Sequence, residues 1–162
     1  MKTLIVGLGN PILGDDGVGW HVAEEVERRL PKSDQAPDVS VECVSLGGLS
    51  LMEQLIGYDR AIVIDAIGTG QRPIGSVYHF ELDELYDPTS GHTTAAHDVS
   101  LMTAIKMGRS MGAQLPDRVT VVAIESPYVY DFSEELTPPI AQAVPTAVQL
   151  VIELLTRPSG VS

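Results

Sequence analysis

RAIVIDAIG, residues 60–68, is the strongest strand signal in the chain. Its apolar residues run on without the alternation of a half-exposed strand. Such a run is covered on both faces, as in a parallel sheet. The flanking segments read as the rest of such a sheet. KTLIVG (2–7) is a first strand, and GVGWHVAEEVERRL (17–30) follows as a helix. Val18, Val22, Val26 and Leu30 recur there at a spacing of four, giving one apolar stripe. PKSDQAPD (31–38) is loop, and VSVECVSL (39–46) is a second strand. Gly47-Gly48 breaks the pattern, and LSLMEQLIG (49–57) reads as a short helix.

GSVYHFEL (75–82) is a further strand, joined to residues 60–68 by only a few residues. That link is too short for a crossover helix, so this strand is expected antiparallel at a sheet edge. DVSLMTAIKMGRSMG (98–112) is a helix with Leu101, Ala104, Ile105 and Gly108 on its inner face. RVTVVAIE (118–125) is the last strand, and residues 137–156 form a C-terminal helix. Thr137 stands where a cap is expected, and Pro145 is expected to kink that helix. The alternation implies an α/β fold: three layers, with a mostly parallel twisted sheet of about five strands and helices on both faces. No linker or repeat interrupts it, so residues 1–162 are expected to form a single domain.

Composition narrows the function classes. The chain has 162 residues, of which 44% are apolar, which suits one domain with a real core. Cys43 is the only cysteine, so neither an internal disulfide nor a cysteine metal cluster can form within the chain. MKTLIVGLGNP lacks the longer apolar stretch and cleavage site of a signal peptide. No segment is expected to reach the roughly 18 apolar residues of a bilayer span. The expected setting is the cytoplasm. Twenty-two acids against ten bases give a formal charge of −12, which disfavours nucleic-acid binding. Such a surface is suited to solubility, or to attracting a basic peptide or a cation.

Three segments carry candidate chemistry. GLGNPILGDDGVG (7–19) joins the first strand to the first helix, at the carboxyl edge where α/β sheets bind ligands. A dinucleotide fingerprint would need a third glycine where Ile12 stands, and Asp15 and Asp16 would repel a pyrophosphate. Either aspartate could instead cap the helix. Asp65 sits at the end of the buried central strand, where a carboxylate is costly unless paired, hydrogen-bonded or metal-bound. His97 precedes the third long helix and is expected to face the same crevice. His21, His79 and His92 lack that placement. Two carboxylates and an imidazole would suit nickel, zinc, cobalt or manganese. Cys43 reads as a core residue.

Taken together, the segments resemble the hydrogenase maturation proteases. Gly7, Gly9, Asn10, Asp15, Asp16, Gly17 and Gly19 match that family's opening pattern, Asp65 its central-strand acid, and His97 its metal-binding histidine. The resemblance extends to the C-terminal helix. It implies that Asp16, Asp65 and His97 contact metal, with Asp16 or Asp65 as a catalytic general base toward water. It implies an endopeptidase that removes the C-terminal extension of a nickel-iron hydrogenase large-subunit precursor. The nickel would be supplied by that substrate, so the purified protein is expected empty or holding an adventitious divalent ion. Leu46, Leu51 and the stretch ESPYVYDF (125–132) depart from the family's pattern and are read as bearing on partner choice.

Two rivals use the same residues. A non-proteolytic metal-sensing maturation chaperone would need the same three ligands. Peptidyl-tRNA hydrolase shares the opening turn, but it needs a His-Asn pair where this chain has His21-Val22, and its substrate is poorly suited to an acidic surface.

Overall fold

The computed structural model describes residues 1–32, 38–45, 48–82, 96–127 and 131–157, excluding the side chains of 96–100. Among the described residues, five strands and four helices follow in the expected order. Strand β1 spans Thr3–Leu8, helix α1 Val18–Arg29, strand β2 Val39–Val44 and helix α2 Gly48–Leu55. Strand β3 spans Arg60–Ile67, β4 Val77–Glu81, helix α3 Ala96–Ser110, strand β5 Arg118–Glu125 and helix α4 Pro138–Thr156.

All eight residues of β3 and all six of β1 are buried. This agrees with a run of apolar residues that has no polar face. The sheet order is β2-β1-β3-β5-β4. β4 alone is antiparallel, and it lies at the edge as expected. It pairs with β5, not with the β3 strand that precedes it, because β5 inserts between them in parallel register, Asp65 opposite Ala123. Residues 68–76 easily span that gap, since neighbouring strands lie only about 5 Å apart.

Helices α1 and α4 cover one face and α2 and α3 the other. Val18, Val22, Val26, Ile140, Val148 and Val151 pack with Ile5, Ile62 and Ile64. Leu51, Leu55, Leu101 and Ile105 pack with Leu4, Val6, Val63 and Val121. Leu51 is 1% exposed. Its departure from the family pattern therefore belongs to core packing and cannot itself be a loop that contacts a partner. Leu46, Gly47 and His92 lie outside the described residues, as do most of 31–38 and residues 128–130 of ESPYVYDF.

α4 revises one expectation. It is 19 residues long and its mean hydropathy reaches 1.3 over an 18-residue window, the length and apolarity of a membrane span. Ile140, Ala143, Ala147, Val148, Val151 and Leu154 are buried, which is the stripe of a core helix. The helix continues through Pro145, which has no N–H to donate to the preceding turn. At its C-terminal end, buried Arg60 donates from Nη1 to the Leu154 carbonyl at 2.8 Å. A cation is favoured there by the helix dipole. Burial, and secondarily the charge of Arg118, push the guanidinium pKa down.

Candidate functional site

The chain leaves β1 toward β2 and leaves β3 toward β5, so the sheet order diverges between β1 and β3. The crevice outside the carboxyl ends of such strands is where α/β sheets take ligands. Glycines let the chain close on that edge. A Cβ on Gly19 would lie 2.4 Å from the Ile64 carbonyl oxygen and 2.6 Å from that of Leu8. Only a glycine lets α1 start directly over the ends of both strands. Gly9, with φ +145°, meets the Asp16 backbone so closely that a Cβ would lie 1.9 Å from its carbonyl oxygen. The Gly9 N–H and the Trp20 indole N–H both donate to the Val44 carbonyl, at 3.1 Å each, tying loop and helix to the end of β2.

Asp15 and Asp16 lie in a 3-10 turn, Gly14–Gly17, that packs against β3. Neither caps the helices that follow, because Leu13 and Gly17 hold the N-cap positions. Their carboxylates part company. Asp15 is 4% exposed and reaches the start of α4. There it accepts the Thr137 N–H at 2.8 Å and the Thr137 hydroxyl at 2.9 Å. Thr137 holds the N-cap position of α4 but makes no side-chain cap bond, because its hydroxyl is turned to Asp15. Asp16 is half-buried, and its Oδ2 accepts the Asn10 N–H at 2.9 Å.

Asp65 is 1% exposed. It does not close its strand, since β3 runs two residues further, to Ile67. Ala61, Val63 and Ile67 pack beneath α2 and α3, so strand alternation puts Asp65 on that face. α3 leads through residues 111–117 to the start of β5, so its other end lies at the carboxyl edge. His97 is the second residue of α3 and therefore shares both face and edge with Asp65 in its backbone position. Its side chain lies outside the described residues. Among the described residues, no three His, Cys, Asp or Glu side chains converge as a metal site.

Other groups fall away from this crevice or are committed elsewhere. His21 and His79 are exposed, on α1 and on edge strand β4. Cys43, half-buried in β2, packs against the α1–α4 core, and burial with Glu24, Glu27 and Glu42 nearby pushes its thiol up to about 11. Glu125 was not singled out from sequence. It is 0% exposed, at the end of β5. Its carboxylate accepts the Thr69 N–H at 2.7 Å, the Thr69 hydroxyl and the Gly70 N–H at 3.4 Å, holding the turn after β3. The reasoning that flagged Asp65, a carboxylate ending an apolar strand, would have found it.

Comparison with known proteins gives this architecture a family. The family model for hydrogenase maturation proteases matches residues 20–154, beginning just after the glycine–aspartate turn. The chain belongs to the hydrogenase maturation protease family and is a peptidase. It is 27% identical over 154 residues to the hydrogenase expression/formation protein HupD of Rhizobium leguminosarum bv. viciae, covering 95% of this chain and 74% of that one. It is 26% identical over 161 residues to the hydrogenase 2 maturation protease of Escherichia coli K12, covering 99% and 94%. Its fold matches that of the hydrogenase maturating endopeptidase HybD from E. coli with a TM-score of 0.72 and 23% identity, covering 96% and 92%.

Proposed function

We propose that this chain is the endopeptidase that removes the C-terminal extension of a nickel-iron hydrogenase large-subunit precursor, acting in the cytoplasm once nickel is installed. Family membership supports the class of partner. The observation that carries the site assignment is the burial of Asp65 at the carboxyl edge of β3, with the Asp16 turn packed against the same strand. A carboxylate inside an apolar sheet needs a strong reason to be there.

Nickel enters as part of the substrate. Asp16, Asp65 and His97 are the donors that would contact it, a mixed oxygen and nitrogen set suited to a borderline ion. A bound ion of this kind can polarise a carbonyl or acidify a water. The chain's own contribution is a proton acceptor for that water, Asp16 or Asp65. Asp16 is the better exposed of the two, and its bond from Asn10 fixes one oxygen while the other remains for chemistry.

The test is direct. Nickel-loaded and nickel-free precursor large subunit are each incubated with the protein, and mass spectrometry reads the precursor's C-terminus. Loss of a short tail from the nickel-loaded sample alone is expected. Intact tails in both, alongside metal binding by the protein, would favour a non-proteolytic maturation chaperone.

A further inference from the structure

We propose that Asp15 and Thr137 are positioning residues: their paired hydrogen bonds set the direction of the Asp16 carboxylate, so that α4 forms part of the catalytic apparatus. The inference rests on the reading of Asp16 as a site residue.

The geometry has three parts. First, Asp15 and Asp16 are neighbours in a 3-10 turn. Such a turn has about three residues per revolution, so adjacent side chains point about 120° apart. Anchoring Asp15 therefore fixes the direction in which the Asp16 Cα–Cβ bond leaves the turn, and the Asn10 N–H then holds the carboxylate. Second, Asp15 is held bidentately. The Thr137 N–H donates to Oδ1 at 2.8 Å and the Thr137 hydroxyl to Oδ2 at 2.9 Å, across 122 residues of chain. Bonds to an ionised acceptor are the strong ones, and two in parallel fix orientation as well as distance. Third, the seam continues in the backbone. Gly14 N–H donates to the Ser133 carbonyl at 2.7 Å, and Ser133 N–H to the Ile12 carbonyl at 2.9 Å. The segment before α4 is thereby stitched to the loop that carries Asp16.

The molecule also supplies a control. α4 is fastened at its far end by the Arg60 bond to Leu154, about 25 Å away along the helix. If the Asp15–Thr137 pair served only to hold α4 down, loosening either end would have the same consequences. If it aims Asp16, only the near end matters for catalysis.

The experiment compares Thr137→Val, Thr137→Ser and Arg60→Met, with Arg60→Lys held in reserve should Arg60→Met fail to fold. Two readouts are taken below every melting transition: precursor processing, and hydrogen exchange of the Asn10 amide, which donates to the Asp16 carboxylate. Thr137→Val is expected to lower kcat by about tenfold or more, since small misplacements of a catalytic group are costly. KM is expected to rise as well, because Asp16 is also read as a contact to the substrate's nickel, so kcat is compared at saturating precursor. Asn10 exchange should accelerate in the same variant. Thr137→Ser should restore both, and Arg60→Met should leave both at wild-type values whatever it does to melting temperature. Unchanged Asn10 exchange in Thr137→Val would overturn the proposal, as would wild-type kcat despite faster exchange. Equal kcat loss in Arg60→Met would reduce the pair to helix anchoring. Because the exchange readout needs no substrate, failure of wild-type processing would count against the proposed function and against a catalytic purpose for the pair. It would leave the ordering of the turn standing or falling on exchange.

Discussion

Gly19→Ala is a perturbation whose sign separates packing from propensity. Gly19 is the second residue of α1. On helix propensity alone, alanine there should stabilise by up to about 1 kcal/mol. The structure says otherwise. The new Cβ would stand 2.4 Å from the Ile64 carbonyl oxygen, 2.6 Å from the Leu8 carbonyl oxygen and 3.0 Å from the Leu8 nitrogen. Ordinary contact begins near 3.4 Å, so the shortfall against Ile64 is 3.4 minus 2.4, or 1.0 Å. The obstructing atoms are backbone of two different strands, and no side chain can swing aside. Overpacking of this kind costs about 1–3 kcal/mol. A 1.0 Å shortfall against backbone belongs in the upper part of that range, about 2–3 kcal/mol, so after about 1 kcal/mol of propensity the net expectation is a loss of about 1–2 kcal/mol, or roughly 2–8 °C in melting temperature for a domain of this size. Gly108→Ala is the matched control. Its Cβ would meet Leu115 Cδ1 at 2.9 Å and Met52 Sδ at 3.0 Å, the far ends of flexible side chains. It should be neutral or slightly stabilising. Urea and thermal unfolding followed by circular dichroism measure both. A Gly19→Ala protein stabilised as much as Gly108→Ala would refute the claim that α1 sits on the strand ends through this glycine. Because the same contact positions the Asp16 turn, Gly19→Ala should also slow processing below its melting transition.

Asp16→Asn and Asp65→Asn, which preserve shape, should each cut precursor processing by about 10²-fold or more, in the range of a lost general acid or base. Circular dichroism should stay native, and wild-type processing by both would sink the site assignment. His97→Ala should behave in the same way if the histidine belongs to that set, with processing of nickel-loaded precursor as the measurement. Cys43 should be slow to alkylate. Its thiol lies at about 11 instead of the ordinary 9.0, so at neutral pH the folded chain carries about 100-fold less thiolate than the unfolded one, and only thiolate reacts. Equal iodoacetamide rates with and without denaturant would contradict this. The same shift has a sign for stability. The folded thiol keeps its proton longer, so this group costs nothing below about pH 9 and destabilises as pH rises from there toward about 11.

What the sequence made legible were features with a local period. The unbroken apolar run of β3 announced burial on both faces, and all eight residues are buried. The i, i+4 stripe of α1 announced its inner face, where Val18, Val22 and Val26 are 0% exposed. The short link before β4 announced an antiparallel edge strand. What it did not announce was which strand β4 would join, because that depends on where the later β5 inserts.

The candidate site shows the same division more sharply. For the two carboxylates of GDDG the sequence offered two explanations, a helix cap for either one and, through the family resemblance, a metal contact for Asp16. In three dimensions each has its own partner, since Asp15 is bound by Thr137 and Asp16 by the Asn10 amide. No local rule pairs residues separated by 122 positions. The pairing exists because two glycine-dependent contacts let α1 and its turn settle on the ends of β1 and β3. α4, packed beside α1 on the same face, then brings Thr137 to the turn. Glycines that first read as a failed nucleotide fingerprint are thus spacers that set the height of a helix above a sheet. Their conformational cost is offset by an arrangement in which one aspartate is buried and satisfied and its neighbour is left at the crevice. A sequence that kept both aspartates but replaced Gly9 or Gly19 would keep the motif's acids and lose the geometry that separates their roles.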